Sequence, residues 1–196
     1  HSNSFTTILN LKMVVKLLLT LKTIRMKVIL IQGKENSGKT TLCNQIDEWL
    51  QKGIFQDVNL KRVDVTRQCF KKQDFVAIYD VFAETVDNKE VRVLINSASD
   101  DNTSIDTFKS FKNNCNEEYY KNKEVDILIT TIRNNDNPKL QERIMEICDL
   151  AKKDFDQVPS IPIVIHKEDI SKNKLMIELE KSPLHLIKEE IRTLLK

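Results

Sequence analysis

Apolar runs alternate with amphipathic stretches along most of this chain. Val28-Ile29-Leu30-Ile31 is a continuous apolar run, the pattern of a strand buried on both faces. It predicts a first strand over about Lys27–Gln32. From Lys39 to Lys52, Leu42, Ile46, Trp49 and Leu50 fall at i, i+4, i+7 and i+8, which predicts a helix with one core-facing stripe. Gly53 follows where a C-cap glycine would end that helix. A short strand is expected at Leu60–Val65. Phe75–Phe82 and Val91–Ile95 flank the turn Asp87-Asn88-Lys89 and read as a hairpin or as adjacent strands. Val125–Thr130 and Ile161–Ile165 are two further apolar strands, the second with Pro162 near its start.

Helix starts punctuate the second half. Asp101-Asn102-Thr103-Ser104 carries N-cap chemistry and precedes a helix burying Ile105, Phe108 and Cys115. Asn137-Pro138 opens a helix with Leu140, Ile144, Ile147, Cys148 and Ala151 on one face. Ser182-Pro183 opens the closing helix, with Leu184, Ile187, Ile191, Leu194 and Leu195 inward. Strands alternating with helices predict an α/β fold: a mostly parallel β-sheet with helices on both faces and one β-hairpin.

Residues 1–25 stand apart from residues 26–196, which form one nucleotide-binding domain in this reading. His1-Ser2-Asn3 reads as a cloning remnant. Beyond it, Lys12 and Lys16 recur four apart and Thr20 and Thr23 continue their side, giving a basic amphipathic helix. Charges interrupt the run, so no transmembrane segment is expected. No cleavage-site pattern follows an unbroken apolar core, so no signal peptide is expected. Three readings stay open: a helix that packs on the domain or on a second copy as a homodimer contact, an upstream extension before Met26, or a membrane-surface helix.

Charge changes the picture little. The chain of 196 residues carries a net +2, of which Lys12, Lys16, Lys22 and Arg25 contribute +4, leaving −2 for residues 26–196. A near-neutral domain gives no strong nucleic-acid signal. Cys43, Cys69, Cys115 and Cys148 are scattered, which suits reduced thiols and a cytoplasmic protein. His166 and His185 show no metal-ligand spacing.

The chemistry concentrates in Gly33-Lys34-Glu35-Asn36-Ser37-Gly38-Lys39-Thr40. It reads G-x-x-x-x-G-K-T, the phosphate-binding P-loop or Walker A motif, between a predicted strand and a predicted helix. The chain has only three glycines, and the motif uses two of them. Gly33 and Gly38 permit unusual dihedrals and close backbone approach. The helix N-terminus favours an anion. Lys39 is placed to bridge the β- and γ-phosphates, the Thr40 hydroxyl to ligate Mg²⁺, and Thr41 to reach the α-phosphate. Lys34, Glu35, Asn36 and Ser37 complete the cradle.

Such a loop needs a second acid or hydroxyl for Mg²⁺, expected at the C-terminal end of a neighbouring strand. Asp100, supported by Ser97 in Ser97-Ala98-Ser99-Asp100-Asp101, is the first choice. Asp80, which ends the apolar run Phe75–Tyr79, is the second. Arg133 follows the strand at Val125–Thr130 and either reaches the phosphates or the base edge or is a loop arginine. The basic residues Lys61, Arg62, Arg67, Lys71 and Lys72 form either a solvated face or a lid beside the phosphates.

On Gly33–Thr40 and the strand order around it, the chain resembles the P-loop NTPase superfamily over about residues 26–170. The turn Ser97-Ala98-Ser99-Asp100 and the strand ending at Arg133 also resemble small bacterial P-loop proteins of unassigned role, with Ser99 where those carry glycine. The resemblance implies a three-layer P-loop sandwich with Mg²⁺ as cofactor and ATP or GTP as ligand. Thr130-Thr131-Ile132-Arg133 departs from the N/T-K-x-D guanine motif of Ras-like GTPases, which makes ATP the default. The expected activity is Mg-dependent ATP binding and hydrolysis, acting as a switch on a protein partner. Lys39, Asp100 and Arg133 are then the catalytic group. A small-molecule or nucleotide kinase and a non-hydrolysing nucleotide-binding module are the alternatives.

Overall fold

The computed structural model describes residues 26–33, 35–70, 74–85, 87–114, 124–133, 137–150, 161–164 and 183–196. The N-terminal amphipathic helix, Lys34, Lys71, Lys72, Cys115, Ala151 and His166 lie outside the described residues.

Six strands form one mixed sheet in the order β2-β3-β4-β5-β1-β6. They are β1 (Lys27–Gly33), β2 (Leu60–Cys69), β3 (Phe75–Ala83), β4 (Glu90–Asn96), β5 (Ile127–Arg133) and β6 (Ile161–Val164). β1 pairs in parallel with β5 and β6, and β4 pairs in parallel with β5. β2, β3 and β4 form an antiparallel meander. The chain is thus α/β, as its alternating pattern predicts, but the sheet is mixed rather than mostly parallel, because the antiparallel part takes in β2 as well as the expected hairpin.

Each face of the sheet has its own core. Ile29 and Ile31 of β1 pack with Leu42, Ile46 and Leu50 of α1 (Lys39–Glu48) and the residues after it, and with Ile187 and Ile191 of α5 (Pro183–Leu195). Val28 and Leu30 point the other way, onto α3 (Asn102–Asn114) and α4 (Pro138–Ile147) through Ile105, Phe108, Leu140 and Ile144. That is why β1 is apolar at successive positions: alternate side chains serve opposite cores. Asn137 caps α4 by accepting from the Leu140 N–H, with Pro138 in the first turn, as its sequence predicts. Cys43, Cys69 and Cys148 are free thiols, and burial pushes the Cys148 thiol up to about 12.

Three elements differ from expectation. β5 starts two residues after the expected Val125 and runs on to Arg133, which is therefore a strand residue paired with Gly33 and not a loop arginine. β2 runs ten residues rather than six, because its outer positions are polar and exposed and leave little apolar alternation to read. Gly53 does not end the first helix. Its φ is −75°, in a π turn (Trp49–Gly53) that leads from α1 into the short α2 (Ile54–Asp57). The glycine makes room instead: a Cβ there would stand 2.8 Å from Cδ1 of the buried Trp49. Gly53→Ala should therefore destabilise the fold by about 1 kcal/mol, overpacking against the indole outweighing the helix-propensity gain. Urea unfolding followed by the fluorescence of Trp49, the single tryptophan, checks this; a variant more stable than wild type would contradict it.

Candidate functional site

The parallel strands β1, β4 and β5 all end at one edge of the sheet, the edge where open α/β sheets present their ligand sites. Gly33 ends β1 beside Arg133 of β5, its register partner. Ser97–Asp100 follows β4 at the same edge. The chain leaves β1 through Glu35–Gly38 and enters α1 at Lys39. Asn36 (φ 56°) and Gly38 (φ 90°) both take left-handed conformations, which turn the backbone sharply. Gly38 occupies the N-cap position of α1 with no side-chain cap, and the first turn holds no acid. The first amides of α1 have no intrahelical acceptor, so this end presents uncompensated N–H dipoles.

Lys39 is buried, and its Nζ donates to the Gly33 carbonyl at 3.2 Å, folding the side chain back across the loop. The Ser37 Oγ is buried with no partner among the described residues. Thr40 Oγ1 donates to Asp74 Oδ1 at 2.8 Å and lies 3.4 Å from the Ser97 carbonyl. Ser97 Oγ accepts from the Phe75 N–H at 2.8 Å and stands 3.5 Å from Asp74 Oδ1. Asp100 Oδ1 is 3.2 Å from Arg133 Nη1 and 3.9 Å from Lys39 Nζ. Arg133 Nη1 is also 3.7 Å from Glu35. Thr41 is exposed on the same rim. These groups border a cleft of about 900 Å³ that extends from the loop to Asn44 on α1 and to Thr103 and Thr107 on α3.

Seven of the loop and rim positions singled out by sequence (Glu35, Asn36, Ser37, Gly38, Lys39, Thr40 and Thr41) line this cleft together with Asp100. Arg133 and Ser97 reach its residues through the contacts just given. Asp80 does not join them. It sits near the middle of β3, about 20 Å along the strand from Asp74. There it forms a buried ion pair with Arg92 of β4, Nε to Oδ1 at 2.6 Å. β3 runs antiparallel to β4, so its first residues meet the cleft while the end of its apolar run points away. The acid this strand delivers is Asp74, which precedes the run. Sequence reading passed over it because the acid was sought at the end of an apolar run, whereas in the hairpin reading of Phe75–Phe82 it is the start of that run that faces the cleft. On β2, Arg62 pairs with Asp64 at 3.0 Å and Arg67 with Asp47 of α1 at 3.1 Å, so these two arginines form ion pairs within the domain, while Lys71 and Lys72 of the same basic stretch lie outside the described residues.

Burial holds the Asp74 carboxyl above the usual aspartate range, with Asp100 and Asp101 adding repulsion against the opposing Thr40 and Ser97 hydroxyls. Among the described residues, no group of three or more His, Cys, Asp or Glu is placed to hold a metal ion. None of the described helices is long and apolar enough to cross a membrane. Compared with protein-family models, curated proteins and solved structures, the chain matches none of them.

Two outcomes follow from these positions. Asp80→Asn strands the Arg92 charge in the interior and should cost about 3–5 kcal/mol, whereas Asp80→Leu with Arg92→Met should cost far less. Chemical denaturation of the three proteins decides between this and a weakly coupled pair. For Asp74, the raised folded value means that the folded state binds the proton more readily than the unfolded chain. Its contribution is therefore most favourable below the ordinary aspartate value near ~4 and is lost as pH rises through the elevated one. Asp74→Asn should raise the melting temperature at neutral pH and flatten the pH dependence above pH ~4. A lower melting temperature at neutral pH would show that the charged carboxylate stabilises the fold instead.

Proposed function

We propose that the chain is a Mg-dependent nucleoside-triphosphate-binding protein of the P-loop kind, with ATP as the ligand and slow hydrolysis as the reaction. The observation that carries this reading is the coincidence, at one sheet edge, of an uncapped helix N-terminus, the buried Lys39 and the Thr40–Asp74 pair. A G-x-x-x-x-G-K-T sequence between β1 and α1 accounts for all three.

In this reading the amides of Glu35–Thr41 cradle the phosphates, and the dipole of α1 favours their charge. Lys39 leaves the Gly33 carbonyl for the terminal phosphates and neutralises the negative charge that grows as the phosphoryl group transfers. Thr40 and Asp74 are the residues that would hold Mg²⁺; a hydroxyl and a carboxylate in hydrogen-bond contact are hard oxygen donors that suit it. The ion would supply positive charge against the phosphates there. Ser97 keeps Asp74 in place through its own hydroxyl. Hydrolysis moves the terminal phosphoryl group to water and leaves the diphosphate in the loop.

A kinase is the second reading, and one observation favours it. The cleft continues past the loop to Asn44, Thr103 and Thr107, a polar recess that would seat an acceptor hydroxyl. In that reading Arg62 and Arg67 of β2 are paired with Asp64 and Asp47 rather than with the phosphates.

Calorimetric titration with ATP and GTP in Mg²⁺, with phosphate release assayed on the same samples, is the test. Wild type should bind MgATP in preference to MgGTP and release phosphate. Lys39→Ala should lose affinity by about 100-fold or more, the scale of a lost charge-assisted contact to phosphate, with its unfolding curve unchanged. Absence of binding by wild type, or unchanged affinity in the variant, would overturn the assignment. Binding without phosphate release until an alcohol or nucleotide acceptor is supplied would select the kinase.

A further inference from the structure

Asp100 makes contacts that a metal-holding carboxylate would not need. One oxygen, Oδ1, faces both cationic side chains of the cleft, Arg133 at 3.2 Å and Lys39 at 3.9 Å. Those two side chains are largely buried, at 12% and 5% exposure, whereas Asp100 is 44% exposed. The Thr40 hydroxyl, by contrast, is held by Asp74.

Two cations drawn out of water beside each other repel and are poorly solvated, so they need an anion between them. An acceptor oxygen with negative charge meets that need, and a carboxylate and a phosphate offer the same chemistry to guanidinium and ammonium groups. We propose that Asp100 is an internal counter-ion: it holds the place of the terminal phosphate between Lys39 and Arg133 and must be displaced when a triphosphate binds. The inference rests on the triphosphate reading and gives Asp100 a role in selectivity rather than in metal binding.

The local structure suits a removable anion. Asp100 lies in the connection between β4 and α3, so its main chain is not tied into a strand ladder. Its neighbour Asp101 is fixed, accepting from the Ser104 N–H and Ser104 Oγ as the cap of α3. The carboxylate of Asp100 can therefore swing toward solvent while the helix start stays in place. A ligand with one phosphate offers too little charge to replace it, whereas a triphosphate engages the loop amides, Lys39 and Arg133 together. Selectivity for the longer polyphosphate follows from the competition, since each weak anion must first beat an anion already in place.

The experiment compares wild type, Asp100→Asn and Asp101→Asn in three titrations: ATP in EDTA, ATP in Mg²⁺ and inorganic phosphate alone. Asp101 is the control, an exposed carboxylate lining the same cleft whose replacement by Asn keeps a side chain able to cap α3. Asp100→Asn should bind ATP in EDTA about tenfold more tightly than wild type and gain measurable affinity for inorganic phosphate. Asp101→Asn should change either by about twofold or less. Unchanged or weaker binding of ATP in EDTA by Asp100→Asn overturns the inference. So does a loss confined to the Mg²⁺ titration, which would make Asp100 a metal holder. Equal gains in both variants overturn it as well, because general repulsion in the cleft would then suffice. Wild type that binds ATP without any gain in Asp100→Asn sinks this inference alone. Failure of all three proteins to bind ATP in either condition sinks the triphosphate reading and this inference with it.

Discussion

The direction of β3 decides what stands opposite the Gly33–Thr40 loop. Because β3 runs against β4, its beginning, not its end, arrives at the edge where β1, β4 and β5 finish. Asp74 is delivered to Thr40 by that reversal, and Asp80 is carried into the sheet interior, where only an arginine on the adjacent strand makes its charge tolerable. Had β3 been parallel, its Ala83 end would stand at that edge and Asp74 at the far one. A carboxylate's function here is set by strand polarity before any local chemistry applies.

What the chain discloses in one dimension follows from this. Periodicity exposes elements whose side chains meet a core. The runs of β1 and β5 and the stripes of α1, α4 and α5 are visible because burial selects their residues directly. The caps at Asp101 and Asn137 are visible because few side chains can do that work. The loop itself is legible because glycines are so scarce that two at the required spacing stand out. The turn at Asp87-Asn88-Lys89 pointed to a hairpin and so to the reversal of β3, but no pattern marks Asp74 as more than polar chain before an apolar run. The far end of β2 was illegible for another reason: an edge strand with a polar outer surface has no pattern imposed by a core. Gly53 misled because a glycine after a helical stripe has two uses, turning the backbone and clearing space, and only the position of the Trp49 ring distinguishes them.

The cleft is electrostatically divided. Lys39 and Arg133 sit deep, while Glu35, Asp100 and Asp101 sit nearer solvent. Asp74, half-buried, carries the cost of that arrangement as a raised carboxyl value. Such a constellation is poor design for stability alone, because burial and like charge both work against Asp74. It is reasonable design for receiving a strongly negative ligand together with a divalent cation, which would satisfy the cations and the carboxylates at once. The proposed triphosphate with Mg²⁺ has that charge pattern.

Positioning of the loop relative to the acid depends on α1 being held at more than one point. Thr40 at its start bonds Asp74 at the start of β3, and Asp47, seven residues on, accepts from the Tyr79 hydroxyl five residues along the same strand. A helix that returns antiparallel to β1 runs in the same sense as the reversed β3, so both contacts form without bending either element. Burial, then the hydrogen bond to Asp47, pushes the Tyr79 phenol well above its ordinary value and keeps its proton in that bond. Arg67 of β2 pairs with the same Asp47 and extends the attachment across a second strand. Two contacts spaced along one helix restrain its rotation as well as its distance, which a single contact at Thr40 would not. The antiparallel half of the sheet thereby does more than supply Asp74: it holds the helix that carries Lys39 in the orientation the cleft requires.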